Sequence, residues 1–374
     1  MSSEIPTTDA TDAVAPASSV ATAVSPRKVP LLDRIPVISH LRQSVGLQRG
    51  MLVFGLVLST VFVVVALFAP WIAPYGWAQQ SVDGVDFGTQ QPPNPLNIWG
   101  TTVSGFDVYS RVIWGAQTAF LVIVFAVLFS IFLGIFLGLV SGYFGGWLDR
   151  ILVVIADAIY ALPSLLLAIV LSIAISHGQS NLWGGVLSTA LAITVVFVPQ
   201  YFRVIRAEVV RIKTEPFVES ARVIGVPTHR ILTRHVLRNA TRSIPVIVTL
   251  NASEAPLTLA GLGFLGFGIE ATSAAEWGYD LGRSVADASS GIWWTAIPPG
   301  TAIVLVVLGI TLVGESLNDL ADPRLRGRRR AAAASGEVAE TSVVPGGTLT
   351  AGPGGVDGLE GGESFDEHGI EVRP

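Results

Sequence analysis

Cysteine is absent from the 374 residues, which excludes disulfides and thiolate metal sites. The five histidines, His40, His177, His229, His235 and His368, have no HExxH-like spacing, so no metal ligand set is expected. Charged side chains make up only 14% of the chain, too few for an ordinary soluble protein of this length. No phosphate-cradling loop of the GxxxxGK type followed by Ser or Thr occurs, so the chain is not expected to hydrolyse ATP itself. Paired carboxylates or a nucleophile with its base at one membrane depth are also missing from the pattern. A membrane enzyme is therefore disfavoured, and neither a cofactor nor a nucleic-acid partner is called for.

What the chain has in excess is apolar: 51% of its side chains are hydrophobic. A run of about 20 such residues crosses a hydrocarbon core. About six runs of that length lie near 51 to 73, 118 to 141, 151 to 176, 182 to 202, 244 to 266 and 295 to 317. The fold expected is an all-α membrane protein of about six transmembrane helices. Residues 1 to 30 are rich in Ala, Ser, Thr and Pro, and 331 to 374 in Gly and Glu; both read as disordered tails. The first apolar run begins only near Met51, too late for a cleaved leader.

Basic residues set the orientation, because short cytoplasmic loops carry excess Lys and Arg. With the N-terminus inside, the inner segments collect Arg27, Lys28, Arg34, Arg42 and Arg49, then Arg150, the region from Arg203 to Arg242, and Arg324 to Arg330. The outer segments keep only Arg111 and Arg283. Both termini are expected in the cytoplasm, with residues 31 to 50 as a juxtamembrane segment.

Between the fourth and fifth runs lies the polar stretch "EPFVESARVIGVPTHRILTRHVL", residues 215 to 237. Thr214 is placed to cap a helix, Pro216 suits its first turn, and Gly225 suits its end. A helix of about three turns is expected, then a second one starting at Pro227. In that second helix Arg230, Arg234, Arg238 and Arg242 recur every four residues as a basic stripe, with Ile231, Leu232, Val236 and Leu237 elsewhere. The stripe alone fits a helix lying on anionic lipid headgroups. A short capped helix carrying Glu219 has no lipid-binding character and suits a partner's groove better.

"ESARVIG" followed by "RILTRHVLRN" resembles the EAA loop of permease subunits of binding-protein-dependent ATP-binding cassette importers. The match falls on Glu219, Ser220, Ala221 and Gly225, with Ser220 in place of an Ala and Arg238 in place of a Pro. "WGTTVSGFDVYSRVIWGAQTAF", "SGYFGGWLDRILVVIADAIYALPSLLLAI", "LGFLGFGI", "EWG" and "GESLNDLADPRLRG" resemble, in order, segments of the dipeptide, oligopeptide and nickel branch. Thr102 and Phe106 stand where that branch has Asp and Arg. Leu259 stands where a Glu is common, with Glu254 five residues earlier. The likeness covers roughly residues 50 to 327.

The resemblance implies a permease domain over 51 to 327, with a core of about 114 to 323 and an EAA-like loop of about 203 to 243. It implies a prokaryotic plasma (inner) membrane location and import of di- or oligopeptides, with nickel or glutathione as alternatives. Two cytoplasmic ATPases, a second homologous permease and an extracytoplasmic binding protein are the implied partners, besides membrane lipid. Glu219, Ser220, Ala221, Arg222 and Gly225 are then the residues expected to couple to an ATPase. An ATP-independent carrier is the competing class, although no inverted repeat with broken helices is visible.

Other residues carry weaker expectations. Asp157 and Glu254 are ionisable groups inside predicted spans, which are costly unless paired or facing water. Pathway lining is one reading; for Asp157, whose span also carries Pro163, a structural role near a kink or the membrane edge is the stronger one. Gly134, Gly138 and Gly142 repeat at four-residue spacing, which suits close helix packing and a face toward a second permease. Glu315 and Asp319, one turn apart, are expected to pair with nearby arginines.

Overall fold

The computed structural model describes residues 47–176 and 182–321. Helix α1 spans Leu47–Ile72. An extended loop follows, holding a two-stranded antiparallel hairpin of β1, Ser81–Val82, and β2, Val85–Asp86. Helix α2 then runs Val108–Phe144, α3 Gly146–Tyr160, α4 Ser164–Ser176, α5 Leu182–Ile212 and α6 Pro216–Val223. Helix α7 is continuous over Thr228–Phe264, with a π turn at Ile231–Val236 and a 3-10 turn at Thr241–Ser243. Short helices α8, Trp277–Arg283, and α9, Val285–Ser289, precede α10, Ile297–Ala321.

Among the described residues five helices are long and apolar enough to cross a membrane, over Arg49–Ile72, Val108–Phe144, Trp183–Ile212, Thr228–Phe264 and Trp293–Asn318. The run expected to cross at 151 to 176 is instead two helices, α3 and α4, meeting at 102°. Pro163 lies in that corner. It has no N–H to give a helix, and it pushes the residue before it away from helical angles. The fifth expected span is longer than 244 to 266, because the second helix of the polar hairpin runs straight into it. Residue 47 is already helical, so the segment read as 31 to 50 ends inside α1. The two tails, the outer turn near Gly178 and the Arg324 to Arg330 run lie outside the described residues.

Local chemistry explains the main boundaries. Asp107 caps α2 by accepting a hydrogen bond from the Ser110 N–H at 2.8 Å. Gly145 and Gly146 end it, both at positive φ, so the chain reverses at once into α3.

The glycines of α2 set its neighbour. A Cβ on Gly134 would strike Tyr201, one on Gly138 would lie 2.9 Å from the Ile205 side chain, and one on Gly142 would lie 2.9 Å from the Arg206 carbonyl. Residue numbers rise together on the two helices, so α2 and α5 run parallel in close contact. The glycine face expected to meet a second permease therefore packs against this chain's own α5. In contrast, α1 and α10 are antiparallel, with Gly55 against Leu312 and Gly309 against Leu58.

The end of the bundle at Ile72, Val108 and Phe264 is closed by the loop after α1 and by α8 and α9. Buried Arg111 joins them. Its Nε donates to both carboxylate oxygens of Asp280, at 2.7 and 2.8 Å, and one terminal nitrogen donates to the Trp77 carbonyl at 2.9 Å. Burial pushes the Asp280 carboxyl up, against the pull of that guanidinium. Glu276 caps α8 by accepting from the Gly278 and Tyr279 N–H groups at 2.8 and 2.7 Å. It is sealed in by Gly263, where any side chain would displace the carboxylate. Burial drives its pKa from the ordinary 4.5 to about 8, and the two N–H donors oppose that rise only in part.

Two outcomes follow for stability. Gly134→Ala lowers the melting temperature in detergent, because the new methyl overpacks the α2–α5 seam by about 1–3 kcal/mol. Gly50→Ala, where the methyl meets nothing within 4 Å, raises it slightly through helix propensity. Folded Glu276 keeps its proton to about pH 8, whereas the unfolded chain releases it near 4.5. The folded state therefore binds more protons between those values, and its stability falls as pH rises through that window. Glu276→Gln flattens that slope in thermal melts from pH 5 to 8.

Candidate functional site

The polar hairpin grows from the end of α5, which is tied down before the chain leaves the bundle. Asp149 of α3 accepts from Arg206 Nε and a terminal nitrogen at 2.5 and 2.7 Å, and from Ser141 Oγ at 2.5 Å. Lys213 Nζ donates to the Gly142 carbonyl at 2.8 Å. Helices α2, α3 and α5 are thus fastened together where α6 begins.

Helix α6 is eight residues long, nearer two turns than the three expected. Its N-cap position is Glu215, without a side-chain cap bond. The expected cap, Thr214, instead turns back to donate to the Arg211 carbonyl at 2.9 Å. Pro216 is the first helical residue, as its chemistry favours. At the far end Gly225 has φ 80°. Its N–H bonds the Arg222 carbonyl and the Val226 N–H bonds that of Ala221, both at 3.0 Å. That pair of bonds is a Schellman closure, which needs the left-handed residue that glycine supplies.

The five coupling candidates divide by direction. Val218 and Ala221 face inward and are buried, so Ala221 seats the helix on the bundle and leaves the outer surface to others. Arg222 stacks its guanidinium over the Tyr143 ring, 5.2 Å from the centroid. Glu219 and Ser220 are exposed; the Ser220 hydroxyl bonds back to the Pro216 carbonyl at 2.8 Å. Among the described residues no ion pair holds Glu219, so its carboxylate is not spent on Arg222.

Sequence reading did not single out Val223 and Ile224, which are 82% and 78% exposed beside half-exposed Phe217. Their signal was present, as an apolar pair directly before the helix-ending glycine. The outer surface of α6 thus offers one free carboxylate and three apolar side chains.

After the turn, Arg230, Arg234, Arg238 and Arg242 are all exposed while Ile231, Val236 and Ala240 are buried. The π turn between them adds a residue to one turn, so the stripe is offset from an ideal helical row.

Asp157 faces Arg203 at 3.0 Å, both side chains half exposed, and Arg203 also covers the Tyr160 ring at 4.9 Å. It is an ion-paired residue next to the elbow. Glu254, half-buried on α7, lines a cavity of about 330 Å³ together with Tyr160, Leu162, Ser164 and Gln200. The elbow at Pro163 therefore opens the space that Glu254 faces. Glu315 is exposed with no ion pair among the described residues. The Asp319 side chain and the arginines beyond it lie outside them.

Comparison with known proteins places this architecture. Residues 130–327 match the model of the binding-protein-dependent transport system inner membrane component. Residues 47–93 match the N-terminal transmembrane domain of oligopeptide transport permease C. The chain belongs to this family of permeases and is a multi-pass inner-membrane protein. It is 33% identical, over 80% of its length and 95% of the relative, to a dipeptide transport system permease of Alkalihalophilus pseudofirmus. It is 37% identical, over 71% of its length and 84% of the relative, to a glutathione transport system permease of Shigella flexneri. The corresponding protein of Escherichia coli O157:H7 is 35% identical over the same shares.

Replacing Gly225 by Val tests the hairpin's closure. Forcing a β-branched residue to φ 80° costs about 1–2 kcal/mol, enough to loosen α6 without unseating the spans. Limited proteolysis is expected to cut between residues 214 and 228 faster, while the thermal transition of the bundle stays in place.

Proposed function

We propose that this chain is the membrane-spanning permease subunit of an ATP-binding cassette importer for di- or oligopeptides. The observation that carries the coupling role is the hairpin: a short, stiff helix fixed at both ends and fastened to the three helices α2, α3 and α5, presenting Glu219, Phe217, Val223 and Ile224 outward. Such a surface suits a groove in a cytoplasmic ATPase. Glu219, Ser220 and Gly225 form the coupling element itself, with Ala221 and Arg222 holding it to the bundle.

The hairpin end of the bundle also carries Arg150, Arg203, Arg206, Arg211 and the arginines of α7. The opposite end has Arg111 and Arg283 against Asp107, Glu270, Glu276, Asp280 and Asp287. That asymmetry supports cytoplasmic termini and a cytoplasmic hairpin. The opposite end then receives the substrate-loaded binding protein. A second homologous permease completes the pathway, and two ATPases drive it. The permease domain is taken as 51 to 327, with solvated tails on either side at 1 to 30 and 331 to 374.

ATP binding can shift an inward/outward equilibrium only if the ATPase touches the two states differently. The fastened hairpin supplies that difference, because its displacement carries α2, α3 and α5 with it. Glutathione is a second substrate reading, favoured by the similarity to two glutathione permeases; nickel is a lesser one.

Affinity purification from mild detergent, comparing wild type with Glu219→Arg, tests the assignment. The wild type is expected to bring down ATPases and a second permease, and the charge reversal to lose the ATPases selectively. Wild type purified alone from cells that still take up peptide favours an ATP-independent carrier instead.

A further inference from the structure

The cavity at the elbow has a composition that lipid contact does not explain. Its volume, about 330 Å³, is at the small end of ligand pockets, sized for one end of a peptide. Tyr160, Ser164, Gln200 and Glu254 bring polar groups to it, and Leu162 and Val196 supply apolar wall. Of the two carboxylates near it, Asp157 is matched by Arg203. Among the described residues the Glu254 carboxylate has neither a cationic partner nor a hydrogen-bond donor. It sits ten residues before the end of α7 at Phe264, about 15 Å along the axis and well inside a span.

Prolines mark all three helical walls. Pro163 forms the elbow, Pro199 precedes Gln200 and Pro256 follows two residues after Glu254. Pro199 and Pro256 lie inside their helices. Each withdraws the N–H that would have bonded a carbonyl four residues earlier, Val195 in one case and Ala252 in the other. Backbone acceptors are thereby released in the two helices that carry Gln200 and Glu254.

An uncompensated carboxylate at membrane depth is costly unless a cation or water meets it there. We propose that Glu254 and Gln200 form a subsite for the cationic amine of a transported substrate. The Glu254 carboxylate supplies the charge and the Gln200 amide oxygen a second acceptor for the ammonium. This rests on the peptide-importer reading and assigns the free amino terminus to that end of the pathway.

The absence of cysteine permits a direct test in the intact transport complex. Gln200→Cys is labelled with a cationic, trimethylammonium-bearing methanethiosulfonate or with its anionic sulfonate counterpart. Rates on this chain are normalised to those at Gly50→Cys, at the exposed start of α1 and away from the proposed ATPase-docking surface. The expected result is a cation preference of about tenfold at position 200, lost with Glu254→Gln and kept with Glu254→Asp. Dialanine in excess is expected to slow the cationic reagent, and N-acetyl-dialanine to leave it unchanged. No labelling at position 200 while position 50 reacts, parity of the two reagents, or a preference that survives Glu254→Gln overturns the proposal. Loss of the ATPases from the purified complex is a separate result, which would strike the importer reading and leave the charge preference to be read on its own.

Discussion

Everything in this structure depends on the close parallel contact of α2 with α5. Three glycines on one face of α2 remove the side chains that would hold the helices apart, and α5 fills the space with Tyr201, Ile205 and Val209. Small residues are the usual means of bringing helices together in lipid, where apolar packing against lipid tails gives no net advantage. Two parallel neighbours cannot be joined by a tight turn. The chain between them has to recross the bundle, and it does so as α3 and α4, broken at 102°. The elbow, and so the cavity at Glu254, follows from that topology. So does the hairpin's position, since α5 ends beside the end of α2 and is fastened there through Lys213, Arg206 and Asp149.

Charge is distributed by the same logic. Several ionisable groups that serve structure are held by a partner: Arg206 with Asp149, Arg203 with Asp157, Arg111 with Asp280, and Glu276 by two backbone N–H groups. The buried Arg111 pair holds α8 and the loop after α1 to α2 through one guanidinium that also reaches the Trp77 carbonyl. Removing one member of such a pair strands a buried charge, at a cost of about 3–5 kcal/mol. Glu219 and Glu254, like Glu315, have no ion pair among the described residues; Glu219 lies on the outer surface of α6 and Glu254 within a span. A free carboxylate is what a group reserved for a partner or a ligand looks like before that partner arrives. Binding then adds the counter-charge at the moment it is needed.

Much of this was legible in the sequence, because span length, the basic asymmetry, Pro216 and Gly225 each act through local chemistry. The all-α membrane fold and the existence of the short hairpin helix follow from them. Tertiary facts were less accessible. The run at 151 to 176 has the composition of a span, and composition carries no bend; Pro163 hinted at a kink but not at a right angle. The spacing of Gly134, Gly138 and Gly142 announced close packing without naming the helix it meets. Thr214 looked like a cap because its residue type fits, yet its hydroxyl found the Arg211 carbonyl first. Gln200 and Tyr160 read as ordinary span residues until the fold brought them beside Glu254. Val223 and Ile224 drew no reading, because nothing in a linear pattern says which side of a two-turn helix meets the bundle.

The central claim is that the hairpin and the end of the α2–α5 seam move as one body. Spin labels at His229→Cys, exposed at the hairpin turn, and at Phe144→Cys, introduced into the cysteine-free chain within the assembled transporter, measure it directly by pulsed dipolar spectroscopy with and without ATP. The account predicts one narrow distance distribution whose centre is the same in both conditions. A shifted or broadened distribution on adding ATP would mean that the hairpin slides on the bundle, and would contradict it.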